Sequence, residues 1–107
     1  MTTNGIVSYR KSSDGTTLHA ALRAAELDVD IADELRDSLA SAAAECSCER
    51  LSLDLAEVTF IDSYALGALV SARNSAAAAG LAMALVNPST PVRQAIEVTG
   101  LTEIFSI

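Results

Sequence analysis

The chain has 107 residues, half of them hydrophobic, which is enough for one domain around one core and too few for two. Its 14 acidic side chains against 7 basic ones leave a net charge of -7. The basic residues are scattered singly apart from Arg10-Lys11, which argues against a nucleic-acid surface, since that needs clustered cations to displace counterions. Such an acidic surface favours a basic partner if the partner is charged.

Met1 to Gly5 show no basic segment leading into a long apolar core, so no signal peptide is expected. No uncharged apolar run reaches membrane-spanning length, and the expected location is the cytoplasm. Cys46 and Cys48, one residue apart, fit neither a zinc knuckle nor a C-x-x-C redox pair, and His19 is the only histidine. Two reduced thiols and no metal are expected.

In chain order, Gly5 to Ser12 reads as a first strand carrying Ile6, Val7 and Tyr9. Asp14-Gly15 is a two-residue hairpin signal, because glycine takes the positive φ that such turns require. A second strand is expected from Thr16 to Leu27, where Leu18, Ala20 and Leu22 alternate with His19, Ala21 and Arg23. His19 then points away from the leucine face, and a lone strand histidine reads as a surface side chain rather than a catalyst. Glu26 to Asp30 close this strand with carboxylates. Asp30 is expected to cap the next helix, with Asp33 and Glu34 in its first turn, where the helix dipole favours negative charge. Ile31, Leu35, Leu39 and Ala42/Ala43 recur at helical spacing, and the helix should end near Ala44 to Cys46.

Arg50 to Ile61 reads as a single, central, buried strand. A helix from Ser63 to Ala79 follows, packed through Leu66, Leu69 and Val70 and closed by Gly80 as a left-handed cap. Leu81 to Val86 is continuously apolar, the pattern of a strand buried on both faces, and Asn87-Pro88 ends it. Ser89 or Thr90 should cap a last helix with Pro91 in its first turn and Val92, Ala95, Ile96 and Thr99 on one face, ending at Gly100. Leu101, Ile104, Phe105 and Ile107 form an apolar tail expected to dock on the body. Strands separated by helices pair in parallel through right-handed crossovers. The expected fold is therefore a small α/β domain over residues 1–107, with a mixed, mostly parallel β-sheet, an antiparallel N-terminal edge hairpin and helices packed on it.

Functional groups of open α/β sheets gather beyond the carboxyl ends of the strands. Here these are Glu26 to Asp30, Ile61 to Tyr64 and Val86 to Thr90. Spacing alone reads Asp62 and Ser63, and likewise Ser89 and Thr90, as helix caps worth about 1 kcal/mol each. A helix N-terminus also exposes unpaired N–H groups and partial positive charge, which suits a phosphate. Catalysis finds less support. Ser63 has no evident base and no G-x-S-x-G elbow, and a carboxylate pair of Asp28 with Asp62 has no pocket assigned to it. Binding or switching is expected, with no enzyme activity and no cofactor.

Five motifs in order carry a resemblance. They are Ala25-Glu26-Leu27-Asp28-Val29, Leu53-Asp54-Leu55 continuing through Val58-Thr59-Phe60-Ile61-Asp62-Ser63, Leu66-Gly67, Val86-Asn87-Pro88-Ser89, and Thr99-Gly100-Leu101. Together they resemble a STAS domain of the anti-sigma factor antagonist type through nearly the whole chain. The resemblance implies partner switching. The unphosphorylated antagonist binds an anti-sigma factor, a serine kinase with a GHKL-type ATPase fold, and so frees a sigma factor. Phosphorylation separates the pair, and a PP2C-type phosphatase resets it.

Carried onto this sequence, the phosphoacceptor falls on Ser63, the adjoining carboxylate on Asp62 and a partner-facing carboxylate on Asp28. Tyr64 stands where the family usually has a second serine, and Ala65 where it usually has glycine. Both are placed with Asp28, Asp62 and Ser63 on the expected partner-binding surface. Tyr64 adds either an obstruction beside the acceptor or an aromatic anchor. A non-switching STAS interaction subunit, acting as a scaffold or transport-complex component, stays open, as do a small-molecule sensor and a homodimer.

Overall fold

The structure, a computed structural model, describes residues 2–105. Its elements in chain order are β1 (Thr2–Asn4), β2 (Val7–Lys11), β3 (Thr17–Leu22), β4 (Glu26–Leu27), α1 (Val29–Glu45), β5 (Arg50–Asp54), β6 (Phe60–Ile61), α2 (Ser63–Ala78), β7 (Ala82–Val86) and α3 (Thr90–Val98). Five strands form one mixed sheet in the order β1-β2-β3-β5-β7. The pairs β1-β2 and β2-β3 are antiparallel, while β3-β5 and β5-β7 are parallel. The expected α/β architecture with an antiparallel N-terminal side is the one observed. Among the described residues no helix is long and apolar enough to cross a membrane.

Four expected elements differ in detail. Gly5 adopts φ +57° and turns the chain rather than starting a strand, so a further strand, β1, forms the edge outside β2. The expected strand from Thr16 to Leu27 divides into β3 and β4, and the one from Arg50 to Ile61 into β5 and β6. Asp54 Oδ1 accepts from the Ala56 N–H at 2.8 Å and Val58 N–H bonds Leu55 C=O at 3.0 Å, bending the chain after β5. The two bent segments meet again as a separate two-stranded parallel sheet, with Glu26 opposite Phe60 and Leu27 opposite Ile61. Apolar residues recur through both bends (Leu22 to Leu27, Leu55 to Ile61), so the alternation conceals them. Finally, β7 lies at the sheet edge with only Met83 and Leu85 buried, rather than being covered on both faces.

The reason for that last difference is that α1 and α2 cover a single face. Leu18, Ala20, Leu22, Leu51, Leu53, Met83 and Leu85 point into one core with Leu35, Leu39, Leu66 and Leu69. Ala65, Ala68, Ala72 and Ala76 form a buried stripe along α2, and these small side chains let the helix approach its neighbours closely. Tyr9 on β2 and Ser38 on α1 share a 2.5 Å hydrogen bond that ties this helix to the sheet. The other face is open: Arg10, His19 and Ser52 stand side by side there in register, in a trough also lined by Ser8, Ala21 and Asp54. His19 is thus a surface residue of the sheet, as its alternation implies.

Gly80 takes the positive φ of a helix cap, +91°. Phe105 is fully buried and its C=O accepts from Leu85 N–H at 3.3 Å, so the apolar tail docks against β7; Leu101 and Ile104 are half-buried, and Ile107 lies outside the described residues.

The connection between β2 and β3 is longer than the expected two-residue turn, because Ser12 N–H closes onto Thr17 C=O at 2.8 Å and Gly15 N–H onto Ser12 C=O at 3.0 Å; it carries one strongly shifted group. Asp14 Oδ1 accepts from Ser12 Oγ at 2.7 Å, from Thr16 N–H at 3.1 Å and from Thr16 Oγ1 at 2.8 Å. These bonds, led by that from Ser12, hold its carboxyl down from the ordinary 3.8 to about 2. Folding favours the charged form, so the stabilisation is complete above the unfolded value and fades as pH falls through about 2. The stability advantage of wild type over Asp14→Ala in urea titrations is therefore expected to be constant above about pH 5 and to shrink progressively below pH 4. An advantage that is flat down to pH 2 would refute it.

Candidate functional site

Two strand-to-helix turns are built alike. Strand β4 ends at Leu27, Asp28 follows, and α1 begins; strand β6 ends at Ile61, Asp62 follows, and α2 begins. Because Leu27 pairs with Ile61 in parallel, the turns lie side by side and both helices start at the same place. Asp62 N–H donates to Leu27 C=O at 3.1 Å and locks that register.

The carboxylates satisfy the helix starts. Asp28 Oδ1 accepts from Asp30 N–H at 3.0 Å. Asp62 Oδ1 accepts from Ala65 N–H at 2.8 Å within α2, while its Oδ2 accepts from Val29 N–H at 3.1 Å in α1. One side chain thus caps one helix and bridges to the next. The positive ends of two helix dipoles converge here, and two carboxylates compensate them.

This reassigns two expected caps. Asp28, not Asp30, caps α1, because the helix begins at Val29, two residues before its apolar stripe starts at Ile31, and Asp30 falls in the first turn. Asp62 alone caps α2, so Ser63 is the first helical residue, exposed, and its hydroxyl has no hydrogen-bond partner among the described residues. At α3 the N-cap residue is Ser89, yet its hydroxyl donates to Val58 C=O at 2.7 Å instead of capping an N–H. Asn87 bonds Asp54, so the third expected segment serves the turns after β5 and contributes no side chain to the Asp62 cluster.

Tyr64 is 47% exposed and its hydroxyl donates to Asp33 Oδ1 on α1 at 2.6 Å. That bond to a carboxylate raises the phenol's pKa. The ring is therefore anchored on α1, and Ser63 stays open. Arg36 Nη1 donates to the same Asp33 oxygen at 3.1 Å, and its Nε to Asp37 at 3.0 Å. Ala65 is 1% exposed and packs into the core, so its methyl lies beneath the surface that Ser63 and Tyr64 present.

Sequence reasoning missed the apolar rim of this site. Phe60 is 49% and Val29 55% exposed, and they flank Asp62 from β6 and from the start of α1. The available signal was the alternation itself: Ile61 points inward, so Phe60 must point outward. Arg36, beside Ser63 in a shallow groove between the helices, was missed as well.

The STAS domain family model matches residues 22–107. The chain belongs to the STAS domain family. Among solved structures, the anti-sigma factor antagonist SpoIIAA in its unphosphorylated form is 21% identical with a TM-score of 0.72, over 90% of this chain and 84% of that one. The phosphorylated form of SpoIIAA, described as a Bacillus cell fate determinant, is 20% identical with a TM-score of 0.64, over 90% of this chain and 86% of that one. A putative anti-sigma factor antagonist from Thermotoga maritima is 24% identical with a TM-score of 0.70, over 94% and 83% of the two chains. The murine anion transporter Slc26a9 matches at 20% identity and a TM-score of 0.73, over 83% of this chain and only 14% of the transporter. At these identities the likeness is one of fold. No curated protein matches the sequence.

The capping assignments set an order of stability effects in this STAS domain. Asp62→Ala leaves two helix-start N–H groups unpaired and should cost roughly 2 kcal/mol in urea unfolding followed by circular dichroism. Asp28→Ala should cost about 1 kcal/mol and Ser63→Ala less than about 0.5 kcal/mol. A Ser63→Ala loss equal to that of Asp62→Ala would restore Ser63 as a cap.

Proposed function

We propose that this STAS domain, acting as one unit over residues 1–107, is a bacterial, cytoplasmic anti-sigma factor antagonist controlled at Ser63. The observation that carries the reading is an exposed, unbonded serine hydroxyl at the first position of α2, with exposed apolar side chains nearby in the fold: Tyr64 next to it, Phe60 on β6 and Val29 at the start of α1. Exposed aromatics around a polar centre are the usual anchors of a protein interface. The partner is an anti-sigma factor serine kinase of GHKL-type fold, which docks on this rim while Ser63 is unmodified and so releases a sigma factor. Asp28, Asp62 and Tyr64 belong to the surface, and Ala65 supports it from below.

The switch is electrostatic. Ser63 Oγ attacks the γ-phosphorus of ATP held by the kinase, ADP leaves, and the hydroxyl proton passes to a base on the kinase. The product carries roughly -1.5 to -2 extra charges beside Asp62 and Asp28. The helix start accommodates that charge locally, whereas a docked partner would bury a dianion among carboxylates. Reversing a complex from 99:1 to 1:99 takes about 5.5 kcal/mol of differential affinity, and a desolvated dianion facing like charge is a large part of it. A PP2C-type phosphatase would reset the serine. The Tyr64 ring, held on Asp33, leaves the acceptor accessible to a kinase.

A second reading is a non-switching interaction subunit, favoured by the likeness to one part of a transporter chain. The two readings separate experimentally. With the cognate kinase and ATP, mass spectrometry should locate one phosphate on Ser63, and Ser63→Asp should weaken kinase binding while Ser63→Ala preserves it. Unmodified Ser63, with both variants binding equally, would sink the switch and leave the subunit reading. Phe60→Ser should weaken binding by roughly tenfold or more with little change in stability, measured by calorimetry and urea unfolding.

A further inference from the structure

We infer that Arg36 receives the phosphate on Ser63, an inference that rests on the reading of Ser63 as a phosphoacceptor. A groove of about 270 Å³ runs between α1 and α2, lined by Arg36 from the first helix and by Ser63, Tyr64, Gly67, Ala68 and Ser71 from the second. Ser63, Gly67 and Ser71 follow one another at four-residue spacing on one helix face, so the groove floor beside the acceptor is made of small residues. A methyl built on Gly67 would meet nothing within 4 Å, which leaves space for a phosphate. Arg36 is the one cation lining this groove among the described residues.

Its guanidinium is engaged with weak partners. Asp33 and Asp37, at 3.1 Å and 3.0 Å, are surface carboxylates with 56% and 71% of their side chains exposed. Ion pairs of that kind contribute little, because water screens them and two long side chains lose freedom. A phosphate dianion offers the guanidinium a bidentate, charge-assisted partner of higher charge. Asp33 keeps a donor when Arg36 turns away, since Tyr64 still bonds it. Further carboxylates at this end of the molecule are Glu26 on β4, Asp28 and Asp30 at the start of α1, Glu34 a turn along it and Asp62 at the start of α2. Without Arg36, a dianion on Ser63 would face carboxylates with only the helix start to balance it. Arg36 is thus a positioning residue that holds the phosphate along the groove.

The test uses the full chain with phosphoserine installed at position 63 during translation, so that it does not depend on any kinase. A ³¹P NMR titration reads the second pKa of the phosphate. It should lie roughly 1 unit higher in Arg36→Gln than in the protein with Arg36 intact, and Arg36→Lys should fall between them. Arg73→Gln is the control for charge acting at a distance, because Arg73 lies further along α2 and bonds Asn74; it should leave the value unchanged. The Arg36 Nε–H resonance should also move when serine is replaced by phosphoserine. Equal second pKa values in the intact, Arg36→Gln and Arg36→Lys proteins, or an equal shift from Arg73→Gln, would overturn the inference. Failure of the cognate kinase to label Ser63 would instead sink the phosphoacceptor reading, while the titration still decides the Arg36 contact.

Discussion

The carboxylate of Asp62 is the interaction on which this end of the molecule depends. Its two oxygens accept from Ala65 and Val29, so a single side chain fixes where both α1 and α2 begin. Four backbone N–H groups at each helix start lack intrahelical partners, and bringing two such starts together concentrates partial positive charge. Asp62 and Asp28 offset it from within the chain. The arrangement is possible only because β4 and β6 have left the main sheet and paired with each other, which sets the two turns side by side.

From this follows the state of Ser63. Had Asp62 been apolar, the serine hydroxyl would be the nearest acceptor for the start of α2, and it would be occupied. With the capping done one residue earlier, Ser63 stands exposed at a helix start with its oxygen uncommitted. Its neighbour Tyr64 is drawn sideways onto Asp33. The consequence is a small polar centre within an apolar rim, on an otherwise acidic protein. Such a surface suits reversible docking, because apolar area supplies affinity and one added dianion at the centre can remove it.

The rim is unusual against the rest of the fold. Leucines of the sheet and helices are almost wholly buried, and the alanine stripe of α2 brings its backbone close to its neighbours. Val29 and Phe60 nevertheless stay half-exposed where the two short strands meet the helices. Folding draws little from them there, and with Tyr64 they leave apolar surface close to Asp62; Val98 on α3, 87% exposed, is the other large apolar side chain left open among the described residues.

Much was legible in the sequence. The presence of a hairpin around Asp14-Gly15 (though not its length), the helical stripe of Leu35 and Leu39, the cap at Gly80 and the docking of Phe105 are local or one-face patterns, and local chemistry determines them. The ordered motifs around Asp28, Asp62 and Ser63 pointed to the STAS family and to the right strand ends. What the sequence could not separate was which of two neighbouring polar residues caps each helix, since Asp28 against Asp30, one residue apart, and Asp62 against Ser63 are all good caps by residue type. Nor could it reveal the bends that create β4 and β6, because apolar alternation runs on through them. Those choices fell to the tertiary structure: only the pairing of two distant strand ends brings Val29 N–H within reach of one Asp62 oxygen, while the other oxygen takes the Ala65 N–H and leaves Ser63 uncommitted.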